Sequence, residues 1–246
     1  MFPEIISPNV KYFAPFVWGG FSVKEARFHD NGVVEIGLSY NKKSPAPETE
    51  KRQPLTDDAE NLFRLYEEKN ALYPVSTTGL PEIQNETVGS YRFCAWNASL
   101  AEHLTHAIRE VGCFEQLASA EFFAGVSKYF RFMRYQKGGQ HFPHFDTDFF
   151  GPNYATRYSM VLYFTSCQSG AIAFIDPLAE ELKITGTGDW DHQASPREIT
   201  LEILPKEGNL VLFPHTLCHT VLPYNDQAGS RIIARGDLIF VKDKVK

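Results

Sequence analysis

No stretch of the 246 residues approaches the run of about eighteen apolar side chains that a membrane-spanning helix needs, so no helical membrane anchor is expected within the chain. Residues 1–8 carry an acid and two prolines where a secretory leader would need a basic start and an apolar core, so a leader of that kind is not expected either. Cysteine is scarce. The four present, Cys94, Cys113, Cys167 and Cys218, show neither close pairing nor zinc-finger spacing. A disulfide framework is thereby excluded, and the thiols read as small, reduced, buried groups of a cytoplasmic protein. Basic residues are outnumbered, 24 Lys and Arg against 30 Asp and Glu, giving a net charge of −6. Sequence-independent binding along a nucleic-acid backbone wants a basic face, so no nucleic-acid partner is expected. There is no internal repeat, no low-complexity tract and no Gly/Ser linker to mark a domain boundary.

What is present is a change of pattern along the chain. Residues 11–40 read as short strands, with partial alternation over 33–40 after an Asn31-Gly32 turn signal. Residues 41–54, rich in Pro, Lys and Glu, read as an exposed loop. Helical spacing follows over 57–73, where Leu62, Leu65, Tyr66 and Leu72 fall near one face and Thr56 or Asp57 can cap the start. A second helix is expected over 99–111, from Leu100, Leu104, Ile108 and Val111. From Ser127 onward short strands and turn signals recur, the pattern of an all-β sandwich or barrel rather than of alternating β and α units.

The chemistry-bearing stretch follows a strand-like run over 126–135 and reads Tyr135-Gln-Lys-Gly-Gly-Gln-His141-Phe-Pro-His144-Phe-Asp146-Thr-Asp148. On a strand His144 and Asp146 point to one face, so both can grip one ion. The C-terminal segment offers a further imidazole, His219, or alternatively His215, which follows Phe213-Pro214. Two imidazoles and one carboxylate form a facial triad that leaves three metal positions open, which suits a non-haem Fe(II) oxygenase. A keto acid and oxygen can fill those positions. The keto acid's second carboxylate then needs a fixed cation, and arginine's planar fork suits it. Arg231, across a turn from His219, is the candidate; Arg235 shares its strand face with Arg231, Ile233 and Asp237 and is the alternative. Ser159, Val161, Tyr163 and Thr165 likewise share a face that can line a site.

The order Tyr135, Gly138, His144, Asp146, His219, Gly229, Arg231 resembles the Fe(II)- and 2-oxoglutarate-dependent dioxygenases, in particular their prolyl 4-hydroxylase-like branch, over residues 126–241. The resemblance implies an α+β, mainly β fold: a double-stranded β-helix, or jelly roll, with N-terminal helices packed outside the barrel. It implies a single domain, 1–246, in which 1–120 supplies strands and supporting helices and 121–246 is the catalytic core. It further implies iron held by His144, Asp146 and His219, and 2-oxoglutarate held by Arg231 with hydroxyls from Tyr135 and Tyr163. Arg235 either holds 2-oxoglutarate in place of Arg231 or braces Asp146 or the near carboxylate. O2 is the co-reactant and ascorbate a stimulant.

Four departures stand out. The interval from His219 to Arg231 is two residues longer than usual. His141 replaces Tyr or Phe, Ser169-Gly170-Ala171-Ile172 replaces Gly-Gly-x-Thr, and arginine stands where the collagen-type enzymes have lysine. The implied reaction hydroxylates an unactivated C–H bond, first of a prolyl residue in a protein or peptide, next of a free amino acid or other small metabolite. A non-catalytic metal-binding jelly roll, a sensor module and an oxidative nucleic-acid demethylase are the competing readings. His141, an odd number of residues before His144, is expected near the mouth of the site on the opposite strand face. Phe149, Phe150, Tyr154 and Trp190, the last in a polar loop over 185–196, are candidates for a substrate wall. His29, His103, His106 and His192 read as solvated or hydrogen-bonded histidines.

Overall fold

A computed structural model describes residues 18–41, 54–74, 90–114, 121–176, 190–227 and 229–242. The first elements among the described residues are a hairpin, β1 (Gly20–Phe28) and β2 (Val34–Asn41), turned at Gly32, whose φ of 82° needs a residue without a β-carbon. Then come α1 (Pro54–Glu68), β3 (Tyr73–Pro74), β4 (Ser90–Trp96) and α2 (Ala98–Val111). Nine strands follow: β5 (Phe122–Val126), β6 (Tyr129–Tyr135), β7 (His141–His144), β8 (Tyr154–Tyr163), β9 (Ile172–Ile175), β10 (Ile199–Ile203), β11 (Asn209–Pro214), β12 (His219–Val221) and β13 (Arg231–Val241). The expected run over 126–135 is two strands, not one, broken at Ser127-Lys128. Both pair with β13. Most of the expected loop over 41–54, part of that over 185–196, and residues 11–17 lie outside the described residues.

Among the described residues the pairings are all antiparallel and form two sheets. The larger runs β1-β2-β11-β8-β13-β6-β4-β3, with β5 also on β13; the smaller runs β10-β9-β12-β7. Together they make the double-stranded β-helix. Strand alternation divides the larger sheet's side chains into two cores. Phe130 and Phe132 of β6, Met160 and Leu162 of β8, Leu210 and Leu212 of β11, and Ile232 and Ala234 of β13 face the helices, where they meet Leu62, Phe63 and Tyr66 of α1 and Leu104 and Ile108 of α2. Met133 and Tyr135, Val161 and Tyr163, Val211 and Phe213, and Ile233 face the smaller sheet and its Ile172, Phe174 and Val221. The odd-numbered polar residues Arg131, Ser159, Arg231, Arg235 and Asp237 are therefore delivered to the space between the sheets.

Both helices differ from expectation at their ends. The first begins at Pro54, whose missing N–H costs nothing in a first turn. It ends before Asn70, which is in the left-handed region (φ 50°), and Tyr73 is extended because a residue preceding proline avoids the helical region. Thr56 lies inside α1 and donates to the Phe164 carbonyl instead of capping the helix. Asn97 caps α2: its Oδ1 accepts from the Leu100 N–H at 2.9 Å, and Gly112 closes the helix at φ 70°.

Candidate active site

The site begins where the smaller sheet aligns β7 with β12. His144 and His219 are direct partners across that ladder, and their ring centroids lie 4.2 Å apart. Asp146 falls just beyond the end of β7 rather than on the strand, so strand alternation alone does not aim it. Other side chains do. Even so, one ligand atom from each of His144, Asp146 and His219 lies within 4.8 Å of the others.

Both rings are oriented by their own backbone. Nδ1 of His144 lies 2.8 Å from the Phe142 carbonyl, and Nδ1 of His219 lies 3.1 Å from the Leu217 carbonyl. A carbonyl can only accept, so each Nδ1 carries the proton and each Nε2 keeps its lone pair for a metal. Burial and the neighbouring His144 push the His219 pKa down to about 3, so the ring is neutral. Burial opposes ionisation of Asp146, but Arg235, the two imidazoles and the Ser159 hydroxyl outweigh it and hold the carboxylate well below its usual range. Two imidazoles with Nε2 turned away from the backbone and one carboxylate, half-enclosed, fit Fe(II).

Asp146 is held from behind. Arg235 Nη2 lies 2.9 Å from Asp146 Oδ1 and donates to Ser159 Oγ, also at 2.9 Å, while Ser159 donates to Asp146 Oδ2. Arg235 also pairs with Asp237 at 3.1 Å. This engagement leaves Arg235 as the brace of Asp146. His215 is set apart from the triad, buried between two carboxylates: Nδ1 is 2.7 Å from Asp148 and Nε2 3.3 Å from Asp237. Asp148 in turn meets Arg157, which pairs with Glu121. A line of polar side chains, Glu121, Arg157, Asp148, His215, Asp237 and Arg235, thus leads to Asp146. Sequence reading did not anticipate it; the only trace was the face shared by Arg231, Arg235 and Asp237.

Arg231 is fully buried, and among the described residues none of its guanidinium nitrogens has a hydrogen-bond partner, nor does the Tyr163 hydroxyl. Its guanidinium carbon lies 4.5 Å from the Tyr135 ring and 5.4 Å from the Tyr163 ring. An ionised group buried without a counter-ion is costly unless a ligand supplies one, and a carboxylate matches the fork. Burial raises both phenols, which keeps them protonated and able to donate. Gly170, at φ +71°, admits the arginine: a Cβ there would stand 3.0 Å from Arg231 Cδ and 3.2 Å from Tyr224 Cβ. This cradle fits the distal carboxylate of 2-oxoglutarate.

His141 corrects one expectation. Its ring lies 4.1 Å from that of His144, on the same side. The ladder between β7 and β12 is irregular: three residues from His141 to His144 are matched by two from His219 to Val221. That bulge cancels the odd spacing. Trp190, a substrate-wall candidate in a polar loop, is buried with Ile175, Ala194 and Cys218; its backbone N–H donates to the Pro143 carbonyl at 3.1 Å, and its ring meets Phe145 at 5.7 Å. Phe149 and Phe150 are exposed beyond Asp148, with the Arg157 guanidinium 5.1 Å from the Phe150 ring. Tyr154 opens β8 at the far end from Tyr163. His29 pairs with Glu35 and His192 with Asp191, while His103 and His106 lie on the outer side of α2.

Residues 130–236 match the family model of the 2OG-Fe(II) oxygenase superfamily. Among curated proteins none matches the sequence. Similar solved structures include a Pseudomonas putida prolyl-4-hydroxylase, 17% identical over 76% of this chain and 86% of that one (TM-score 0.46). Another is a prolyl hydroxylase from Trichoplax adhaerens in complex with a hypoxia inducible factor oxygen degradation domain peptide fragment, 11% identical over 85% of this chain and 84% of that one (TM-score 0.48). A third is the epimerase SnoN in complex with Fe3+, alpha ketoglutarate and nogalamycin RO, 12% identical over 86% of this chain and 79% of that one (TM-score 0.49). The matched segment contains the His144, Asp146 and His219 cluster and the Arg231 cradle, and over that segment the chain is similar to the 2OG-Fe(II) oxygenase superfamily, whose members use Fe(II), 2-oxoglutarate and O2.

Proposed function

We propose that the protein is a hydroxylase of an unactivated C–H bond, acting on a prolyl residue in a protein or peptide. His144, Asp146 and His219 would hold the iron, and Arg231, Tyr135 and Tyr163 would hold 2-oxoglutarate. The observation that carries the oxygenase chemistry is the buried, unpartnered Arg231 fork between two tyrosines, in the same inter-sheet space as the triad. A jelly roll that merely bound metal would have no use for it. The prolyl assignment rests on the motif order from Tyr135 to Arg231.

When bound, iron supplies the chemistry by which O2 converts 2-oxoglutarate to succinate and CO2, with one oxygen atom entering succinate and the other the substrate as hydroxyl. The chain's own residues position and enclose. The Nδ1 bonds to Phe142 and Leu217 hold both imidazoles in the ligating tautomer. Arg235 at Oδ1 and Ser159 at Oδ2 hold the Asp146 carboxylate in place beside the two imidazoles. Tyr135 and Tyr163 are buried and keep water from the anion's charges.

Succinate formation by purified protein with Fe(II), 2-oxoglutarate and ascorbate, against prolyl peptides and small metabolites, tests the reading. Arg231→Ala should raise the 2-oxoglutarate requirement by about thirtyfold or more, with metal binding kept, because removing one partner of a buried charge pair typically costs about 2–5 kcal/mol. Arg235→Ala should act mainly on metal affinity through Asp146. An effect on 2-oxoglutarate confined to Arg235→Ala would move the anchor there, and absence of succinate from the wild type under every condition would end the oxygenase reading.

A further inference from the structure

One arginine in the site has no assigned work. Arg131 on β6 stands directly opposite Arg235 on β13, and cross-strand partners project from the same face. That face is the one between the sheets, since Met133 and Tyr135, two and four residues on, lie in the inter-sheet core while Phe130 and Phe132 lie against the helices. On the next strand, Arg92 is opposite Met133 and Cys94 opposite Arg131, so Arg92 projects the same way. Arg131 and Arg92 are partly exposed, unlike Arg231 and Arg235, which places them toward the mouth. His141 belongs to the same rim, within electrostatic reach of Arg92 and in contact with His144.

Arg131 is held in an unfavourable place for a cation. The Arg235 guanidinium and then burial push its pKa down, while Asp237 and Asp146, both paired with Arg235, oppose this in part. Among the described residues no carboxylate lies within ion-pair distance of Arg131. Two like charges on facing strands cost stability unless something offsets them. Asp146 and Asp237 both engage Arg235 directly, so Arg131 has their attraction but no carboxylate in contact with its own fork.

We propose that Arg131, with Arg92 beside it, receives a carboxylate of the prime substrate at the mouth of the site. The inference rests on the hydroxylase reading and narrows it. The substrate carries an anionic group close to the carbon that reacts, either the side chain of an acidic residue flanking a prolyl target or the α-carboxylate of a free amino acid. The anion would give the Arg131 fork the direct partner that it lacks, and the fork would orient it. The acidity of the chain as a whole, net −6, makes a basic mouth a local device rather than a consequence of composition.

The test compares matched pairs. One pair is a prolyl peptide with glutamate flanking the target and the same peptide with glutamine; the other is free proline and prolinamide. Binding is read by titration to the protein loaded with 2-oxoglutarate and Mn(II), and turnover by succinate and by substrate mass increase. The carboxylate member of at least one pair should bind about tenfold or more tightly, and which pair shows it identifies the source. Arg131→Gln should erase that preference by raising KM more than it lowers kcat, and Arg131→Lys should restore part of it. Equal binding of acid and amide in both pairs, or a preference that survives Arg131→Gln, overturns the proposal. Succinate formed by the wild type without prime substrate reports separately on the oxygenase reading, so either can fail alone.

Discussion

Two histidines four residues apart, His215 and His219, illustrate how little a residue's identity says about its work. His219 sits on a strand with a backbone carbonyl fixing its Nδ1 and a ligand carboxylate 3.6 Å from its Nε2. His215 has a carboxylate near each ring nitrogen, Asp148 at 2.7 Å and Asp237 at 3.3 Å, and is turned away from the triad. Replacing His144, Asp146 or His219 with alanine should abolish stoichiometric Fe(II) or Mn(II) binding, because two ligands cannot hold a labile ion in fixed geometry. His215→Ala should keep one metal per chain. It should instead lower stability by about 1–3 kcal/mol, the usual cost of leaving buried carboxylates short of a donor. Metal content by elemental analysis beside denaturant unfolding separates the outcomes; loss of metal from His215→Ala with retention in His219→Ala would reverse the ligand assignment.

The elements are arranged so that the helices steady the larger sheet without touching the site. In α2, Leu100, Leu104 and Ile108 are buried, and the Thr105 hydroxyl accepts the Val126 N–H at 2.9 Å, tying the helix to β5. Its cap, Asn97, accepts the Leu100 N–H and is itself 5% exposed, so truncation leaves an unsatisfied donor in a closed environment. Asn97→Ala should therefore cost about 1–2 kcal/mol. Asn97→Ser should recover most of it, with metal affinity unchanged in both. Urea titration checks the first statement and metal titration the second. A change in metal affinity would mean that the helices do reach the site.

Across the whole molecule, the charges of the barrel interior tie stability to pH. Burial raises the pKa of Asp237, but Arg235 and His215 outweigh it and hold the folded-state value below the ordinary aspartate value. A depressed carboxylate contributes stability that is fully present above its unfolded pKa and is lost as pH falls through the folded value. Wild type should thus keep the Asp237 contribution at neutral pH and lose it below about pH 4. Asp237→Asn should be less stable than wild type at pH 7, and the gap should narrow as the medium is acidified through that range. Unfolding free energies of the two proteins at several pH values provide the check; a constant gap would mean that Asp237 contributes by shape and not by charge.

Sequence alone determined the strand periodicity from Ser127 onward, the amphipathic spacing that made α2, and the residue types from which a facial triad and an anion cradle can be assembled. Those follow from local rules: alternation sends every second residue to one face, and only certain side chains ligate iron or pair with a carboxylate. Tertiary structure decided everything that depends on register. Asp146 lies past its strand and is aimed by Ser159 and Arg235 from two other strands. His141 shares a side with His144 because β12 is one residue short against β7. The division of the two arginines, Arg231 left without a partner and Arg235 engaged, follows from which carboxylates the neighbouring strands bring within reach, and a single chain of letters does not carry that distance.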